Sequence, residues 1–83
     1  LNLLNRDEEI NGIDKDDIPY FKNINFEGIN CLGAKEAVVI EPLKDMPETI
    51  TDIHIKDSSF VTSGGNRVGC DCLTSEQTTY EIV

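Results

Sequence analysis

Phe21-Lys-Asn-Ile-Asn-Phe-Glu-Gly-Ile-Asn-Cys31 recurs downstream as Ile50-Thr-Asp-Ile-His-Ile-Lys-Asp-Ser-Ser-Phe60. One offset of 29 residues aligns the two stretches, placing Ile24 on Ile53, Phe26 on Ile55 and Cys31 on Phe60. In each copy apolar residues alternate with polar ones, Ile24 and Phe26 against Asn23, Asn25 and Glu27, then Ile53 and Ile55 against Asp52, His54 and Lys56. That alternation gives an extended strand one inward and one outward face. A strand recurring at a fixed period of about 20–50 residues marks a stacked repeat. The expected fold is all-β, a right-handed, single-stranded parallel β-helix.

Working outward from the two copies, the chain divides into an acidic connecting segment at 1–18, coil one at 19–47, coil two at 48–77 and the start of coil three at 78–83. The last assignment maps Asp52-Ile53 onto Glu81-Ile82 at the same offset. Two full coils with partial coils at each end are thus expected. Leu1–Leu4 reads as the last strand of a preceding coil. Coil one bends at Gly28, turns at Gly33-Ala34 and continues into the β-branched run Ala37–Ile40. The longest connection between strands is Glu41–Glu48, with Pro42 and Pro47. Coil two turns at Asp57-Ser58 and at Ser63-Gly64-Gly65-Asn66, where the glycines are expected to take positive φ. Val68–Leu73 reads as its third strand and Thr74–Thr78 as the following loop. Ile24, Phe26, Cys31, Ile53, Ile55 and Phe60 are expected to stack inward as ladders.

Solenoids bury their strand faces by stacking, and about three repeats is the usual minimum. An 83-residue chain buries only about 60% of its unfolded surface in any case. The chain therefore reads as part of a larger β-helix, with possible edge-to-edge self-association when isolated.

Sixteen acidic against seven basic residues give a net charge of −9. That balance excludes nucleic acid as a partner, whose phosphates need a basic surface, and argues equally against anionic membranes. Asp7-Glu8-Glu9 and Asp14-Lys15-Asp16-Asp17 carry much of the charge and read as a solvated acidic loop. Asp14, Asp16 and Asp17 lack the glycine and distal glutamate of a calcium loop. Of the three cysteines, Cys31 aligns with an apolar wall position and suits a small buried hydrophobe. Cys70 and Cys72 are expected to pack inward from one strand face. With only His54 to add, they fall short of a four-ligand zinc site, and neither a metal nor a disulfide scaffold is expected.

Phe21–Ile40, with Cys31, Gly33, Ala34 and Ala37 in a Cys-x-Gly-Ala-x-x-Ala pattern, is followed by Met46-Pro47-Glu48 and the strand reaching Asp52-Ile-His-Ile55. These residues resemble the C-terminal coils of the polygalacturonase family of glycoside hydrolases. The resemblance spans about Ile18–Ser63, and its Gly-Ala-Lys-Glu-Ala turn is the most specific part. It implies a secreted or periplasmic pectin hydrolase that cleaves galacturonan linkages with inversion, and hence a polysaccharide partner for the parent protein. Inversion needs two carboxyl groups about 6.5–9.5 Å apart, with room for a water.

The family's Asn-Thr-Asp, Gly-His-Gly and Arg-Ile-Lys segments are absent from this chain. Its one Asp-Asp pair, Asp16-Asp17, is followed by Ile-Pro in a polar loop, and His54 stands on an outward strand position without a neighbouring glycine. No catalytic, cofactor-binding or metal-binding residue is therefore assigned. Lys44 and Arg67, on loops, read as solvated cations that could touch an acidic sugar in the parent. The expected role is to extend and cap the solenoid. A non-catalytic β-helix binding or adhesion module is the alternative reading, and an ordinary β-sandwich without the repeat is a third.

Overall fold

The computed structural model describes residues 1–5 and 18–83. The acidic runs Asp7–Glu9 and Asp14–Asp17 lie outside the described residues. The fold is all-β, and among the described residues it has nine short strands: β1 (Asn2–Leu4), β2 (Phe21–Glu27), β3 (Asn30–Ala34), β4 (Val39–Glu41), β5 (Ile50–Lys56), β6 (Ser59–Thr62), β7 (Arg67–Val68), β8 (Leu73–Glu76) and β9 (Thr79–Ile82). They form three three-stranded sheets, ordered β1-β4-β7, β2-β5-β8 and β3-β6-β9. Every pairing between these strands is parallel, and each of β1 to β6 bonds to the strand three places on in the chain.

Register follows the repeat. Ile24 pairs with Ile53, Phe26 with Ile55 and Cys31 with Phe60, as the alignment requires. The offset slips once, between Leu32 and Ala34, so that Ala34 meets Thr62 and Val39 meets Arg67. Gly33 is the extra residue, at φ +89°. Only a residue without a Cβ enters that region freely, so the bulge falls there.

A second backbone device repeats inside the strands. Asn23 and Asp52, aligned by the 29-residue offset, have φ of 54° and 53°. Strict alternation would put Phe21 and Ile24 on opposite faces of a strand, since they are three residues apart. One left-handed residue between them resets the face, and Ile50 and Ile53 are both completely buried in the second copy. Asn and Asp tolerate this conformation better than other side chains.

The core comprises Ala37, Val38, Ile40, Ile50, Ile53, Ile55, Phe60 and Cys72, with Ile24, Phe26 and Cys31 packed against it as partly buried neighbours. The inward ladders are thus present, but their burial is uneven. β5 and β6 are covered by strands on both sides, whereas β2 and β3 are edge strands. Tyr80 extends the ladder, its ring stacked on Phe60 at 5.3 Å and 10°.

The expected match of Asp52-Ile53 with Glu81-Ile82 is corrected. Ile53 pairs with Leu73, while Glu81 and Ile82 pair with Val61 and Thr62. The cause is a shorter connection: β7 and β8 are joined by the four residues Gly69 to Cys72, where β4 and β5 are joined by residues 42–49. The third member of the β2-β5-β8 sheet therefore begins at Leu73 rather than at residue 78. Val68–Leu73 is not one strand, because β7 ends at Val68, and Thr74–Thr78 is mostly strand rather than loop. Gly64 and Gly65 are not at positive φ; among glycines Gly28 and Gly33 are. Gly64 serves close approach instead, its N–H donating to the Lys35 carbonyl at 2.6 Å.

Cys70 and Cys72 are corrected as well. They form a disulfide, with Cα atoms 5.3 Å apart, in the turn leading to β8, rather than packing as separate thiols from a strand face. Cys31 is the free cysteine and is partly buried.

Candidate functional site

Outward positions of the β2-β5-β8 sheet align in two rows across the strands. Asn25, His54 and Thr74 form one row, and Glu27, Lys56 and Glu76 the other. Period-two alternation puts them there: their neighbours Phe26 and Ile55 point to the core. The rows border an open depression of about 240 Å³ on this face, floored by Phe26 and Ile55. His54 is exposed, as its outward strand position predicts.

This arrangement presents amide, imidazole, ammonium and two carboxylate groups within one groove, a set able to hydrogen-bond hydroxyl-rich ligands. Glu27 and Glu76 stand two strands apart, roughly 9–10 Å between their backbones, and Lys56 occupies the strand between them.

A second depression, about 440 Å³, lies by the connection after β4, bordered by Glu41, Pro42, Leu43, Lys44 and Asp45. The loop is tied down from within. Thr49 Oγ1 accepts from the Leu43 N–H at 3.1 Å and donates to the Met46 carbonyl at 2.9 Å, and Leu43 is buried. Lys44 is exposed on this loop. Arg67 is engaged elsewhere: its Nε donates to Glu36 Oε2 at 3.1 Å and a terminal nitrogen donates to Glu41. These hydrogen bonds, the one to Glu36 first, raise the guanidinium pKa further above its ordinary value. Arg67 thus faces two carboxylates of this chain.

Asp14, Asp16 and Asp17 lie outside the described residues. Among the described residues no three His, Cys, Asp or Glu side chains are grouped to hold a metal ion, and no helix is long and apolar enough to cross a membrane. Sequence reasoning overlooked the Glu27–Lys56–Glu76 row and the Cys70–Cys72 bond. The first half of the row was available, since Glu27 and Lys56 align at the 29-residue offset, but Glu76 enters only through the shorter third repeat. The chain matches no protein-family model, no curated protein and no solved structure.

Proposed function

We propose that the chain forms consecutive coils of a right-handed parallel β-helix, and that these coils are the structural, non-catalytic part of a polygalacturonase-like pectin hydrolase. The observation that supports the β-helix most strongly is the pairing of each of β1 to β6, in parallel, with the third strand after it. Right-handed connection is the rule for parallel strands joined by a crossover. The link to galacturonan rests on the Cys31-x-Gly33-Ala34-x-x-Ala37 resemblance; Gly33 supplies a bulge just before the chain turns toward β4.

In this reading the inward ladders provide a rigid support for the coils that bear catalytic carboxylates, and the parent protein is secreted or periplasmic. The 83-residue chain alone should release no reducing ends from polygalacturonate. The parent protein, carrying an Asp-Asp strand and a Gly-His-Gly turn in its other coils, should do so. Hydrolysis by the isolated chain would overturn the structural role; a parent coding sequence without those segments would overturn the hydrolase.

The polar rows of the β2-β5-β8 face favour a second reading, a β-helix module that binds carbohydrate without cleaving it. Saturable binding of oligogalacturonate, lost in Asn25→Ala/His54→Ala and unaccompanied by hydrolysis in the parent protein, would select this reading.

A further inference from the structure

The connections β4–β5 and β7–β8 do the same job in successive repeats, carrying the chain from the first sheet to the second. They are secured by different means. The eight-residue connection has the Thr49 hydroxyl bonds, a 3₁₀ turn at Pro47–Thr49 and a buried Leu43. The four-residue connection has the Cys70–Cys72 disulfide. Its two ends are anchored in adjoining sheets: the Gly69 N–H donates to the Ile40 carbonyl at 2.8 Å, and the Cys72 carbonyl accepts from the Ile53 N–H at 2.9 Å. The disulfide therefore lies between the last bond of the β4–β7 ladder and the first bond of the β5–β8 ladder.

We propose that the Cys70–Cys72 bond is a redox-controlled clasp that holds β8 and β9 on the rest of the fold. Among the described residues β8 and β9 are outer strands, each bonded on one side only. Thr74, Ser75, Glu76, Glu81 and Ile82 are exposed, so inward packing of these strands rests on Leu73 and on the Tyr80 ring stacked against Phe60. The bond closes a ring within the turn and so narrows the conformations open to the backbone that delivers the chain into β8.

The two cysteines differ in burial. Cys72 is 8% exposed and belongs to the core cluster, whereas Cys70 packs against that cluster and is partly exposed. An external dithiol, the reductant, attacks Cys70 Sγ; the S–S bond breaks and Cys72 leaves as a thiolate that takes up a proton. The second thiol of the reductant then displaces Cys70 as its thiol, and the reductant closes to its own disulfide. Two electrons and two protons pass to the clasp. Once open, the turn retains only its two end bonds, and β8 frays from Leu73 onward.

Two measurements on the full 83-residue chain test this. Alkylation in denaturant without reductant, read by intact mass, should label one cysteine, Cys31; labelling of all three would overturn the clasp. Amide exchange, before and after treatment with a phosphine reductant, should show at least tenfold faster exchange in Leu73–Ile82. Phe21–Cys31 should be unchanged, and reoxidation should restore the protection. A Cys70→Ala/Cys72→Ala variant should match the reduced chain and ignore reductant. Equal exchange in both redox states, or equal acceleration throughout the chain, would overturn the proposal.

Discussion

Gly28, Asp57 and Gln77 occupy the same corner in successive repeats, with φ of 73°, 51° and 48°. Their environments permit a test of conformation apart from packing, because a Cβ added at Gly28 would meet no atom within 4 Å. Gly28→Ala should then cost about 1 kcal/mol through backbone strain alone, and Gln77→Gly should gain about 0.5–1 kcal/mol by relieving it. Urea midpoints of the two variants should move in opposite directions. Gly64 obeys a different rule. A Cβ there would lie 2.8 Å from the Lys35 carbonyl oxygen, a backbone atom that cannot rotate aside. Gly64→Ala should therefore cost about 1–3 kcal/mol by overpacking, although its φ is ordinary. An unchanged midpoint would show that the Lys35 corner yields.

At the scale of elements, each corner residue is followed by one that bonds between repeats. Ser58 is the central rung: its Oγ accepts from the Ile29 N–H at 3.0 Å and donates to the Lys56 carbonyl at 2.9 Å. The next rung repeats the device, with Thr78 Oγ1 donating to the Glu76 carbonyl at 2.9 Å. Ser58 is buried, so Ser58→Ala would leave the Ile29 N–H without a partner, at a cost of about 1–3 kcal/mol. Ser58→Thr should recover much of it, as measured by the same denaturant midpoints. The strands themselves were legible, since Phe21–Cys31 and Ile50–Phe60 repeat with one offset and the observed register keeps it as far as Leu32. Two things were not legible. The slip at Gly33 depends on how two strands bond, which one sequence does not carry. The third repeat was misplaced because Leu73-Thr-Ser-Glu shares little composition with Ile53-His-Ile-Lys, and the chain reaches it through four residues instead of eight. Of the candidate site, alternation alone identified the outward positions of His54 and Lys56. Their neighbours Thr74 and Glu76 required the true register.

At the scale of the molecule, the three sheets leave two open edges among the described residues, β1, β2 and β3 on one side and β7, β8 and β9 on the other. Each presents unpaired backbone groups able to accept another strand. Apolar surface is exposed at both edges, Leu32 on β3 at 82% on the first and Ile82 and Val83 at 64% and 75% on the second. Opposing this is the net charge of −9. A head-to-tail pairing that continued the present register would also set Glu27 over Glu76, a like-charge contact in the outward row. These two influences respond differently to salt. The Debye length falls from about 30 Å at 0.01 M to about 3 Å at 1 M, which removes most of the repulsion and leaves edge pairing and apolar contact intact. The isolated chain should therefore sediment as a monomer at low ionic strength and associate as salt rises. Glu27→Gln/Glu76→Gln should shift association to lower salt, and Ile82→Lys should suppress it. A chain that stays monomeric at all salt concentrations, with strongly protected amides in both Phe21–Cys31 and Ile50–Phe60, would show that the open edges are stable without any neighbour.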